Sequence, residues 1–165
     1  MMEIYRGSRL TVEKKEVTLP SGEKKERVII HPGGAVAILP VEGETCYLIR
    51  QYRFAIDDYI FEAPAGTINE GEEPHETAYR ELIEETGMKA ERFTPKGWIY
   101  PSPGYTDERI WLYLAEGLSP CSDYEKDDDE VIEVVRTPIG DLQEMITDGR
   151  IVDAKTICLI CRCLQ

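Results

Sequence analysis

The sequence predicts an α+β fold, a mixed sheet with helices packed on it. Three observations carry that expectation. Strand-like and helix-like patterns follow one another without strict βαβ alternation, which argues against a doubly wound sheet. The chain has 165 residues, 42% of them apolar, enough for one substantial core with a small appendage but not for two full domains. A run of turn residues, His31-Pro32-Gly33-Gly34, separates an N-terminal β segment from the rest.

Residues 9–30 read as a hairpin: LTVEKKEVTL, the turn residues Pro20-Ser21-Gly22, then EKKERVII. The turn chemistry and the β-branched flanks favour extended chain. With few large apolar residues, such a hairpin needs the following domain or a second subunit to pack on. AVAILPV and TCYLIRQYR then read as buried strands around Glu42-Gly43-Glu44. Further strands are expected at 58–62, 91–100, 109–115 and 131–136, and helices at 74–86, at 139–147 and from 153 to the C-terminus.

The helix at 74–86 is the best signalled. Pro74 suits a first helical turn, Glu72 and Glu73 precede it at the positive end of the helix dipole, and Gly87 suits the position past its end. Ala78 with Leu82, and Tyr79 with Ile83, are spaced to form its buried stripe. Glu81 and Glu85 lie four residues apart, so their carboxylates leave one face with Glu84 beside them. Like charges at that spacing repel, so the acids are either fully solvated or share a cation. Arg80 is open to pairing with Glu73, Glu76 or Glu84.

The formal charge of −13 excludes a protein that grips long nucleic acid through phosphates. It does not exclude a small phosphorylated substrate, because clustered carboxylates bind hard cations that screen such a ligand. No stretch is long and apolar enough to span a bilayer, and MMEIYRGSRL lacks a secretory signal's apolar run, so a cytoplasmic protein without membrane contact is expected. The five cysteines lack zinc-site spacing, and Cys158, Cys161 and Cys163 read as reduced core residues of the last helix. His31 and His75 read as structural.

Gly66, Glu72, Arg80, Glu81, Leu82, Glu84, Glu85, Gly87 and Met88 match every fixed position of the Nudix box, Gly-x5-Glu-x7-Arg-Glu-U-x-Glu-Glu-x-Gly-U, where U is a bulky aliphatic residue. The chain therefore resembles the Nudix hydrolase superfamily. The resemblance implies a mixed sheet sandwiched between helices (α/β/α) and metal-dependent hydrolysis of a pyrophosphate linkage. It also implies Mg²⁺, with Mn²⁺ as a substitute, held by Glu81, Glu85, Glu84 and the carbonyl of Ala65, while Gly66, Glu72 and Arg80 support the site.

Three flanking segments resemble the ADP-ribose pyrophosphatases of that superfamily: Glu62-Ala63-Pro64-Ala65-Gly66, Ser102-Pro103-Gly104 with Asp107-Glu108, and Gln51-Tyr52-Arg53. They imply conversion of ADP-ribose and water to AMP and ribose 5-phosphate. Arg53 is then the candidate diphosphate contact, with Glu108 near a ribose or the metals, Ser102 on the substrate, and Glu130, with Asp128 next, as the general base. The resemblance further divides the chain into a dimerisation subdomain, 1–32, and a catalytic domain, 33–165. It implies a homodimer whose N-terminal strands reach the partner's site, with Arg27 or Tyr5 as candidates to stack on the base. Alternatives are a pyrophosphatase for another nucleotide sugar, such as GDP-mannose or a UDP-sugar, and a non-catalytic ADP-ribose-binding module.

Overall fold

The structure, a computed structural model, describes residues 2–121 and 132–164. Three antiparallel strands come first: β1 (Met2–Arg6), β2 (Thr11–Thr18) and β3 (Lys24–His31), ordered β1-β2-β3 in their own sheet. The expected hairpin is β2–β3, in register from Thr11 opposite His31 to Thr18 opposite Lys24. Strand β1 was not anticipated. It is a short exposed edge strand, and its pairing with β2 is interrupted by a bulge between Glu3 and Tyr5.

The second sheet has seven strands: β4 (Gly34–Glu42), β5 (Thr45–Arg53), β6 (Asp58–Glu62), β7 (Ala65–Thr67), β8 (Met88–Ile99), β9 (Arg109–Pro120) and β10 (Ile132–Pro138). Its main order is β10-β5-β4-β9-β8, with β6 on β5 and β7 on β4. Strand β4 runs parallel to β9 along its length, and the other pairings are antiparallel. Helix α1 (Pro74–Thr86), a 3₁₀ turn at Ile139–Asp141, α2 (Leu142–Thr147) and α3 (Ala154–Cys163) complete the chain.

Strand β4 shows why the sheet is sandwiched. Its alternate residues leave opposite faces: Val36 and Ile38 pack with Ala78 and Leu82 of α1, whereas Ala37 and Leu39 pack with Leu142 and Met145 of α2 and Leu159 and Ile160 of α3. All four residues are fully buried. A strand covered on both faces reads as the continuous apolar run AVAIL.

One departure from regular pairing positions the site. Strands β4 and β5 pair only beside their turn, Val41 with Cys46 and Glu42 with Thr45, and then diverge. Into that fork come β6, on β5, and β7, on β4. The fork thus holds the chain from Glu62 to Thr67 inside the sheet. Strands β8 and β9 run longer than expected, β8 through an irregularity between Pro95 and Trp98 and β9 through Gly117.

The N-terminal sheet attaches to the larger unit through the loop before β9. The Ile30 amide donates to the Tyr105 carbonyl (2.8 Å), and His31 Nδ1 lies 2.6 Å from Asp107. Among the described residues, no helix is long and apolar enough to cross a membrane. Of the terminal cysteines, Cys158 and Cys163 are half-buried against the core as expected, whereas Cys161 is exposed and departs from that expectation. Cys161 lies on the outer side of α3, which packs on the sheet through Leu159 and Ile160.

Candidate active site

Helix α1 forms where the sequence places it. Pro74 occupies its first turn, the Glu73 amide donates to the Glu76 carboxylate (3.1 Å), and Gly87 closes it in the left-handed conformation with φ 69°. Its buried face differs in one respect from the expected stripe. Thr77, Ala78, Leu82 and Glu85 are inside, whereas Tyr79 is exposed and reaches Phe93 at the rim. An acidic residue, not a second aromatic, takes the inner position.

Glu85 is only 5% exposed, which rules out a simple solvated acidic face. Its Oε2 accepts the Ala65 amide of β7 at 2.8 Å, a charge-assisted bond that fixes the carboxylate against the fork. Glu81 lies over Gly66: a methyl group built on Gly66 would fall on the Glu81 carboxylate. Glycine is therefore required here for space.

Arg80 holds the rest of the cluster. Its Nε and Nη2 donate to Glu72 (3.0 and 3.1 Å), its Nη1 to Glu81 and Glu84 (2.7 Å each), and Nη2 also to the Thr67 carbonyl (3.3 Å). Of the partners left open by the sequence, Glu84 is used and Glu73 and Glu76 are not. Hydrogen bonding to Arg80 pulls the Glu72 carboxyl down to about 2, and the surrounding carboxylates raise the pKa of Arg80. Glu72 also accepts the Asn69 amide (3.2 Å), so loop and helix are tied together by one guanidinium.

Two cavities open beside this cluster. One, of about 510 Å³, is bordered by Ser8, Arg9, Gln51, Arg53, Arg80 and Glu81, and the other, of about 350 Å³, by Pro101, Glu108, Ile110, Asp153 and Lys155. Arg53, Ala65, Gly66 and Thr67 border both. The larger lobe lies beside α1 and the smaller beside α3, and the fork borders both.

Arg53, partly exposed at the end of β5, is engaged in an ion pair with a buried carboxylate. Its Nε and Nη2 grip the buried Glu62 at 2.5 and 2.7 Å, and Lys155 of α3 pairs with the same carboxylate. Burial pushes the Glu62 carboxyl up, but the bonds from Arg53 and Lys155 outweigh it and the net shift is downward. Burial pushes the Glu108 carboxyl above its usual range.

Ser102 does not border either lobe; its carbonyl accepts the amides of Tyr105 (3.3 Å) and Thr106 (3.2 Å) and shapes the loop beyond Pro101. Arg27 lies on β3, its guanidinium on the Glu26 carbonyl (2.8 Å), beside a separate cavity with Pro103 and Tyr105. It does not reach its own chain's cleft. Asp128 and Glu130 lie outside the described residues. His75 is exposed on α1, and His31 bridges Glu13 and Asp107. Sequence reasoning missed Ser8, Arg9, Gln51, Asp153 and Lys155. Gln51 carried a signal as the neighbour of Arg53, and its buried Oε1 lacks a hydrogen-bond partner among the described residues.

Among the described residues, no three acidic, histidine or cysteine side chains already converge on one point as a closed metal cage. The donors at the cluster are nonetheless all oxygen, from Glu81, Glu84 and Glu85, and the absence of a side chain at Gly66 makes the space that the Glu81 carboxylate occupies. Carboxylate oxygens suit a hard divalent cation rather than zinc.

Residues 31–160 match the NUDIX domain family. The chain is 38% identical over 156 residues to the ADP-ribose pyrophosphatase of Bacillus subtilis (strain 168), covering 93% of this chain and 84% of the relative. It is 35% identical over 157 residues to the methanol dehydrogenase activator of Bacillus methanolicus, covering 94% and 85% respectively. A crystal structure of an ADP compounds hydrolase superposes with a TM-score of 0.84 at 27% identity, covering 96% of this chain and 86% of that one. Matched by the family over residues 31–160 and by a relative at 38% identity over 93% of its length, the chain belongs to the Nudix hydrolase family.

Proposed function

We propose that this protein hydrolyses the pyrophosphate linkage of ADP-ribose to AMP and ribose 5-phosphate, with Mg²⁺ as the bound ion and Mn²⁺ as a substitute. The observation that carries the reading is the carboxylate cluster of Glu81, Glu84 and Glu85, held against residues 65–67, where Arg53 borders the cavities on which a diphosphate-linked molecule can lie. The name of the Bacillus subtilis relative, ADP-ribose pyrophosphatase, supports that choice of substrate.

Glu81, Glu85 and Glu84, with the Ala65 carbonyl, would hold the cation. When bound, a hard divalent ion neutralises the diphosphate and acidifies an attacking water. The chain's own residues do the rest. Arg53 offers the diphosphate the Nη1 side of its guanidinium, the side Glu62 leaves unengaged. Arg80, fixed by Glu72, keeps Glu81 and Glu84 in place, and Gly66 lets the Glu81 carboxylate lie directly against β7. Glu108, its carboxyl shifted toward the neutral form, hydrogen-bonds a ribose hydroxyl in the smaller lobe. Ser102 orders the loop that carries Pro101 toward that lobe. Glu130, with Asp128 next, takes the general-base role.

Residues 1–32 act as a dimerisation subdomain on the catalytic domain, 33–165, and Arg27 serves the partner's site. A panel of nucleoside diphosphate sugars in saturating Mg²⁺ tests the substrate. ADP-ribose is expected to have the highest kcat/KM, and GDP-mannose or a UDP-sugar exceeding it tenfold would overturn the choice.

A further inference from the structure

Lys155 occupies the second turn-forming position of α3, far in sequence from the box, yet its amine pairs with Glu62 of β6 and with Asp153 (3.0 Å). Both Lys155 and Arg53 donate to the same oxygen, Oε2 of Glu62. Two hydrogen bonds to one atom put the cations within about 6 Å of each other. Both line the smaller lobe, and Arg53 continues into the larger one. Glu62 is 1% exposed, so it acts behind the wall that the two cations present.

A bland account is available: a buried ion pair that pins α3 to the sheet. It does not explain why a lysine is used. The α3 terminus is already pinned by neutral and capping bonds, since Thr156 donates from N and Oγ1 to Asp153 (2.9 and 2.6 Å) and accepts the Ala63 amide (2.7 Å). A buried ion pair adds little stability over an apolar pair of similar volume. What the lysine adds is an ammonium on the wall of the smaller lobe, beside Arg53.

We propose that Lys155 is a second cationic contact for the substrate's diphosphate and that Glu62 is the positioning residue holding Lys155 and Arg53 at a common spacing. The ligand class is a diphosphate whose oxygens bridge an ammonium and a guanidinium. Arg53 supplies the planar fork, Lys155 the compact point charge. This inference rests on reading the cleft as a diphosphate-cleaving site.

The test uses the full chain with Mg²⁺ and α,β-methylene-ADP, a diphosphonate that cannot be cleaved at that linkage, measured by calorimetry. Lys155→Met keeps the aliphatic stem and removes the charge. Its affinity is expected to fall at least tenfold, with Lys155→Arg recovering most of the loss and both variants folded by circular dichroism. Glu62→Gln is expected to weaken the same probe and to raise KM for the substrate more than it lowers kcat. Equal affinity of wild type and folded Lys155→Met, with only a lowered Tm, would overturn the proposal in favour of a structural pin. Turnover of ADP-ribose by the wild type is scored separately. Its absence alongside the calorimetric loss would sink the substrate assignment and leave the Lys155 contact standing.

Discussion

Gly66 shows most plainly what single residues do in this site. Its constraint is contact with Glu81, not a left-handed backbone, since its φ is not among the positive ones. Adding one methyl group must displace a carboxylate that Arg80 holds at 2.7 Å. Gly66→Ala is therefore expected to lower kcat by about 100-fold, the effect of an ångström-scale misplacement of a reacting group, while destabilising the fold by about 1–3 kcal/mol through overpacking. Steady-state kinetics and urea denaturation check both numbers, and a variant with the parental kcat would mean that Glu81 can move without consequence. At this scale the box was readable from sequence, because Glu81, Glu84, Glu85 and Arg80 share one helix whose period sets their spacing. The burial of Glu85 was not readable, because it depends on the Ala65 amide arriving from β7.

Among the elements, most of the sheet and all three helices follow from periodicity and turn residues. Strand β7 escaped because three residues, Ala-Gly-Thr, carry no alternation, and their pairing with Ala35, Val36 and Ala37 exists only because β4 and β5 fork. The extension of β9 past Ala115 escaped because Gly117 reads as a breaker, whereas the partner β8 carries the pairing on through Leu118 to Pro120.

The junction between the two sheets has a pH signature. The hydrogen bond to Asp107 raises the pKa of His31, against a smaller opposing effect of burial. A raised folded pKa means that this contribution to stability is fully present below the unfolded value of about 6.5 and is lost as pH rises through the folded value. The His31 resonance is expected to titrate above 6.5 by nuclear magnetic resonance and to return toward it in Asp107→Asn. A variant titrating like the parent would show that Asp107 does not anchor the junction.

For the molecule as a whole, the charge of −13 fits a protein that meets polyphosphate only locally, where Arg9, Arg53 and Lys155 border a cleft that also contains Glu81 and Glu108. The N-terminal sheet leaves Met2, Ile4, Tyr5 and Val28 about half exposed, apolar surface available to a second copy. Sedimentation at low micromolar concentration is expected to give a dimer, and Ile4→Glu with Tyr5→Glu a monomer with at least tenfold lower kcat/KM. A fully active monomer would remove the shared-site reading and leave Ser8 and Arg9 serving only their own chain.

The sequence by itself determined the box helix with its carboxylates and flanking glycines, because those residues are local and one helical repeat sets their geometry. Only the tertiary structure decided what surrounds it. Glu62 and Lys155 are 93 residues apart, and Arg9 comes from the bend between β1 and β2. No spacing along a chain encodes such neighbours, which come to the two lobes around the fork only because a forked sheet, a capped α3 and a docked N-terminal sheet carry them there.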